Sequence, residues 1–320
     1  MNSTANTIEV EHLTKFYGSA RGVIDVSFSV ARGEIMGFLG PNGSGKTTTM
    51  RILTCFFPQT SGNARICGFD TLKDPLEVRR RIGYLPESVP LYLEMPVFSY
   101  LKFFAEVKGI PRAHRRAKVD EVMQRCGITG VAKRLIGKLS KGFRQRVGIA
   151  QSLLHDPDVL ILDEPTIGLD PRQIIEIRSL IKGLGASRTV ILSSHILSEV
   201  SAVCDRVIII HEGKLVAVDT PHNLTRRLQQ TPKILVRALG PAEAVTQTLR
   251  SIPGVLSVRP GIEGPDAFIV DVEEGLPVLN GLAQAICAGP WSLTEIRPVD
   301  MTLEEIFIQL VADDTEVRRR

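Results

Sequence analysis

Apolar and polar positions alternate through IEVEHLTKFY (8–17) and again through VIDVSFSVARGE (23–34), with a glycine-containing turn between them. A period of two predicts a pair of antiparallel strands. EIMGFLG (34–40) then reads as a buried strand running into a Gly-rich loop, and KTTTMRILTCFF (46–57) has helical length. The texture changes around Pro86. From Val97 to Gln151 the pattern is helical, as in SYLKFFAEVKG and RAKVDEVMQRCG, each closed by a glycine. Strands return in DVLILDE (158–164), RTVILSSH (188–195) and DRVIIIHEGKLVAVD (205–219), separated by helical stretches such as RQIIEIRSLIKGL (172–184). Short apolar runs alternating with helices predict a mainly parallel sheet in an α/β core. The helical stretch, about residues 88–151, is expected to be an insertion into that core.

After Pro221 the pattern changes again. KILVRAL, AEAVTQTLRSI, VLSVRPG, DAFIVDVEE, PVLNGLAQAIC and LTEIRPV read strand, helix, strand, strand, helix, strand. That is the order of a ferredoxin-like α+β unit. A last helix, TLEEIFIQLVAD, is expected after Thr302, where Glu305 completes a capping-box spacing. The expected domains are 1–230 and 231–320.

Composition changes this picture little. The chain of 320 residues is 43% hydrophobic and 23% charged, as in a globular protein. A net charge of +4 permits anionic partners without arguing for them, and the terminal Arg318–Arg320 run reads as a solvated tail. The five cysteines show no CxxC pair and no metal-ligand spacing, which predicts reduced thiols. MNSTANTIEVEHL lacks a basic region followed by an apolar stretch, so no signal peptide is expected. The longest apolar runs fall far short of the ~18 residues that span a bilayer.

The candidate chemistry begins with GPNGSGKTT (Gly40, Pro41, Asn42, Gly43, Ser44, Gly45, Lys46, Thr47, Thr48), which fits G-x-x-x-x-G-K-[ST] between a predicted strand and a predicted helix. Glycines let backbone amides turn inward onto a phosphate chain, and the following helix adds its positive end. Lys46 supplies a charge for the β and γ phosphates, and Thr47 a hydroxyl for Mg²⁺. The loop alone leaves GTPase, kinase and ATPase open. VLILDEP narrows the choice: Asp163 ends an apolar strand where it can hold Mg²⁺ through water, and Glu164 beside it is suited to polarising an attacking water. His195 ends another apolar strand and could hydrogen-bond both Glu164 and the γ-phosphate. Glu87, in GYLPES, follows a further strand and could reach the metal or the water.

Together these residues resemble the ATP-binding cassette (ABC) ATPases, over residues 8 to about 224. The resemblance makes Gly40–Thr48 a Walker A loop and Val159–Glu164 a Walker B strand with its catalytic glutamate. It makes Tyr17 the aromatic that stacks on adenine, Asp170 the end of the D-loop, and His195 the switch histidine. LSKGFRQR occupies the signature position. It implies that Ser140 and Gly142 close over ATP held by a second subunit. Two positions depart from the commonest pattern. The coupling-loop glutamine is Glu87, and the signature LSGGQ appears as Leu139, Ser140, Lys141, Gly142 and Phe143.

Within the superfamily, GYLPE, LIGKLS, the LDPRQI extension and the appended tail resemble ATPase subunits of bacterial ABC-2 type exporters, in particular the gliding-motility-associated and multidrug-export groups. That resemblance implies an ATP- and Mg²⁺-dependent homodimer at the cytoplasmic face of the inner membrane. It also implies a separate integral membrane permease and no nucleic-acid partner. The alternative is a soluble cassette ATPase acting as a switch on ribosomes or DNA. The C-terminal unit is expected to be a packing or dimerisation module, with a small-molecule sensor as the other reading.

Overall fold

The computed structural model describes residues 6–228, 233–261, 264, 266–273 and 275–299. The expected helix after Thr302 lies outside them. Contacts divide the chain at Pro221 into two compact units, Met1–Pro221 and His222–Arg320.

In the first unit, β1 (Asn6–Tyr17) and β2 (Ala20–Ala31) form the antiparallel pair that the alternation predicts. β3 (Ile35–Leu39), buried at every position, leads into the loop that opens α1 (Lys46–Leu53). β4 (Ser61–Ile66) and the short β5 (Phe69–Asp70) extend the first sheet to the order β2-β1-β4-β5. α2 (Pro75–Arg81) precedes β6 (Ile82–Leu85). Then come α3 (Val97–Val107), α4 (Arg112–Arg125) and α5 (Lys141–Leu153), which pack on one another. β7 (Val159–Leu162), α6 (Pro171–Gly185), β8 (Thr189–Ser194), α7 (Leu197–Ser201), β9 (Arg206–His211) and β10 (Lys214–Asp219) complete the core.

The second sheet runs β10-β9-β3-β8-β7-β6, parallel except for β10. β6 and β7 are neighbours in it although the helices lie between them in sequence, so the helical stretch is an insertion, as its pattern predicts. The two sheets share one core. Ile8, Val10, Val26 and Phe28 from the antiparallel sheet cluster with Met36, Phe38, Ile161 and Ile208 of the parallel one, and the Phe28 and Phe38 rings meet edge-on at 5.3 Å.

Two expected elements are shorter in the structure. The helix expected over 46–57 ends at Leu53, because Cys55 takes φ 56° and turns the chain. The long run DRVIIIHEGKLVAVD is a hairpin, not one strand. Glu212 (φ 46°) and Gly213 (φ 76°) reverse the chain, and β10 returns antiparallel to β9 at the sheet edge.

α8 (Pro221–Leu228) follows, then β11 (Lys233–Leu239), α9 (Ala242–Arg250), β12 (Val255–Pro260), β13 (Ala267–Val272), α10 (Gly275–Ala288) and β14 (Ser292–Val299). The sheet order β12-β13-β11-β14, antiparallel throughout, is the ferredoxin-like arrangement. Alternate residues of β11 and β13 (Ile234, Val236, Ala238; Phe268, Val270, Val272) meet Val245 and Leu249 of α9 and Leu282 and Ile286 of α10 in a core of their own. The five cysteines are free thiols. Among the described residues, no helix is long and apolar enough to cross a membrane.

Candidate functional site

In a parallel sheet, ligands collect where the loops leave the carboxyl ends of the strands. Here β3, β8, β7 and β6 are consecutive neighbours, and the segments that follow them carry Gly40–Thr48, His195, Asp163–Glu164 and Glu87 respectively. Sheet topology thus gathers at one edge what lies scattered over more than a hundred residues of chain.

The loop after β3 is shaped by contacts that only glycine tolerates. Gly45 caps α1 with φ 108°, and a Cβ there would lie 2.6 Å from Val23 Cγ1 and 2.8 Å from Gly22 O. A Cβ on Gly40 would meet Ile210 O at 2.3 Å. Ser44 is buried, and its hydroxyl has no hydrogen-bond partner among the described groups. Lys46, the first residue of α1, is also buried. Its Nζ donates to Gly40 O at 2.7 Å and Pro41 O at 3.2 Å, so the loop is drawn around the ammonium group.

The carboxylates sit just beyond β7. Ser193 Oγ donates to Asp163 Oδ1 at 2.5 Å and accepts from Glu164 N at 2.9 Å, holding both residues to β8. Thr47 Oγ1 donates to the same Asp163 oxygen at 3.4 Å. Asp163 Oδ2 is buried with no hydrogen-bond partner among the described residues. Burial pushes the Asp163 carboxyl above its ordinary pKa, against hydrogen bonds from Ser193 and Thr47 that favour the charged form. Glu164 adopts φ 49° and is buried. His195 Nδ1–H donates to its Oε2 at 2.9 Å, while Oε1 lies 3.5 Å from Lys46 Nζ, an ion pair by distance but not a hydrogen bond.

A cleft of about 380 Å³ opens over these groups. Tyr17, Asn42, Gly43, Gly45, Lys46, Thr47, Thr48, Glu87 and Glu164 all line it. Tyr17, at the end of β1, is 41% exposed; Phe57 meets it edge-on at 5.9 Å, and Lys15 Nζ lies 5.3 Å from its centroid. Ser140 and Gly142 are not brought to this cleft. Ser140 caps α5, accepting from Phe143 N at 3.4 Å, and a Cβ on Gly142 would lie 2.6 Å from Gln173 Oε1 of α6. A larger cavity of about 710 Å³, lined by Arg32, Asp158 and Arg188 among others, opens where the parallel strands begin and holds none of these groups.

Arg21, Gly22 and Ile167 also line the cleft without having been expected there, and Ser193 holds the carboxylates. The sequence signal for Ser193 is only a hydroxyl near the end of the apolar run TVILSS, too common a feature to single it out. The Asp163 carboxylate, whose Oδ2 has no partner among the described residues, and the Thr47 hydroxyl form an all-oxygen donor set, which suits a hard divalent cation.

Fold and site together define a P-loop nucleoside triphosphatase. The ABC transporter family pattern matches residues 23–167. The bacitracin transport ATP-binding protein BcrA of Bacillus licheniformis is 46% identical over 210 residues, 65% of this chain and 68% of that one. The linearmycin resistance ATP-binding protein LnrL of Bacillus subtilis (strain 168) is 34% identical over 305 residues, 95% of this chain and 97% of that one. Among solved structures, an ATP-binding subunit of an ABC transporter matches with TM-score 0.62 at 29% identity, over 69% of this chain and 92% of that one. The chain belongs to the ABC transporter family, and it is an ATP-binding ATPase of that family.

Proposed function

We propose that this ATPase is the energy-supplying subunit of a bacterial ABC-2 type exporter, working as a homodimer on a separate integral membrane permease at the cytoplasmic face of the cell membrane. The transport and resistance names of the relatives support that direction over a switch acting on ribosomes or DNA.

The observation that carries the chemistry is the Glu164 carboxylate. It is held by His195 at 2.9 Å, lies 3.5 Å from Lys46, and has one oxygen that accepts no hydrogen bond among the described residues, at the wall of the P-loop cleft. In this reading the amides of Gly40–Thr48 and the Lys46 ammonium bind the ATP phosphates, and the Tyr17 ring meets the adenine. Thr47 and Asp163, with Glu87 on the same cleft, would hold Mg²⁺, which when bound neutralises charge on the β and γ phosphate oxygens. Glu164 polarises the attacking water, and His195 fixes the carboxylate and the water relative to each other. Ser140 and Gly142, away from their own cleft, close over ATP held by the second copy.

The test is Glu164→Gln. The amide keeps the shape but cannot accept a proton, so purified variant should bind ATP, form ATP-dependent dimers and turn over at least about a hundredfold more slowly. Turnover at the unsubstituted rate would show that the base lies elsewhere.

A further inference from the structure

Glu199, in α7, is a buried carboxylate that the chemistry above does not use; it is 5% exposed. Among the described residues no cation pairs with it, and its hydrogen-bond partners are two hydroxyls. Thr166 Oγ1 donates to Glu199 Oε2, and Ser194 Oγ donates to the same oxygen at 3.3 Å. Both hydroxyls are buried too, Thr166 at 6% and Ser194 at 1% exposure. Ser194 Oγ also accepts from Ile196 N at 3.0 Å.

The positions of these partners matter. Thr166 is two residues past Glu164, in the loop leaving β7. Ser194 is the residue before His195, at the end of β8, and its other partner, Ile196, is the residue after. One carboxylate oxygen therefore joins the loop of the base to the loop of the histidine. A carboxylate buried without a cation costs several kcal/mol in desolvation unless its lone pairs are filled, so it stays where its hydrogen bonds fix something. We infer that Glu199 is a positioning residue for hydrolysis: it sets the distance between Glu164 and His195 by holding their two loops to one acceptor. This rests on the roles proposed above for Glu164 and His195.

The donors need an acceptor at this reach, not a negative charge. Glu199→Gln should therefore keep turnover within about threefold, because its amide oxygen accepts the same hydroxyls. Glu199→Ala and Glu199→Asp should lose about tenfold or more in kcat, as expected when reacting groups are misplaced by around 1 Å. Affinity for a fluorescent ATP analogue and the melting temperature of Glu199→Asp should stay near those of the unsubstituted protein. In a His195→Ala background, Glu199→Asp should cause no further loss, since the pair it aligns is already broken. Losses that add, a parallel fall in nucleotide affinity, or Gln behaving like Asp would each overturn the inference. Glu164→Gln, assayed alongside, reports separately: if it turns over normally, the assignment of the base fails, whatever the Glu199 variants do.

Discussion

Gly45 shows how tightly a single position is set. Its φ of 108° lies where an L side chain costs about 1–2 kcal/mol, and the Cβ it lacks would enter the space of Val23 and the Gly22 carbonyl. Gly45→Ala is expected to push the loop off β2 and weaken ATP binding about tenfold or more, ~1.4 kcal/mol, in a titration with a fluorescent analogue; unchanged affinity would mean that the loop relaxes freely. Much of the site was legible at this scale. Gly40–Thr48 is a contiguous motif, and Asp163 and His195 announce themselves as polar residues ending apolar strands. Ser193 and Glu199 do not, because hydroxyls and carboxylates near strand ends are common. What singles these two out is the adjacency of β7 and β8, a pairing that period and spacing do not encode.

At the scale of elements, the patterns gave type more reliably than length. The apolar run 205–219 looked continuous because the reversal at Glu212–Gly213 takes only two residues, and Glu212 is not a typical residue for positive φ. The helix expected to reach Phe57 stops early because Cys55 turns the chain at φ 56°; Phe56 and Phe57 then meet edge-on at 4.8 Å, with the Arg51 guanidinium beside both rings. A further element-scale contact ties the inserted helices back to the sheet: His155, just after α5, donates from Nε2–H to Ile82 O of β6 at 2.8 Å, with Nδ1 buried and without a partner among the described residues. Burial, and then the Lys108 charge, hold its pKa down to about 4 from 6.5. The folded chain thus keeps this ring neutral at pH values where the unfolded chain would protonate it. Its contribution to stability is full above pH 6.5 and is lost as pH falls toward 4. His155→Gln, whose amide nitrogen lies about where Nε2 does and can still donate to Ile82 O but does not titrate, should show a smaller drop in melting temperature between pH 7.5 and 5.5 than the unsubstituted protein. Equal drops would place the acid sensitivity in other groups.

For the whole molecule, the division at Pro221 separates chemistry from accessory structure. Every residue assigned to the nucleotide lies in Met1–Pro221, which has its own core, and the matched ABC subunit structure covers 69% of this chain. The second unit was legible from element order alone. Its strands and helices pair as a ferredoxin-like sheet because alternate residues of β11 and β13 are apolar on the face that α9 and α10 cover. The sequence placed the junction near 230, where KILVRAL begins, because strand texture is easier to see than the contacts that group α8 with the second unit. Two cores that are each closed predict that the first unit folds and binds nucleotide by itself. A chain ending at Pro221 should hold a fluorescent ATP analogue with an affinity within about threefold of full length, ~0.6 kcal/mol. A loss beyond tenfold, in a truncated chain that melts cooperatively, would show that the second unit contributes to the nucleotide site. If affinity holds but ATP-dependent dimers of the truncated Glu164→Gln chain no longer form, the second unit acts in dimerisation, the role favoured by its own apolar core and by the absence, among the described residues, of a His, Cys, Asp and Glu cluster that could hold a metal ion.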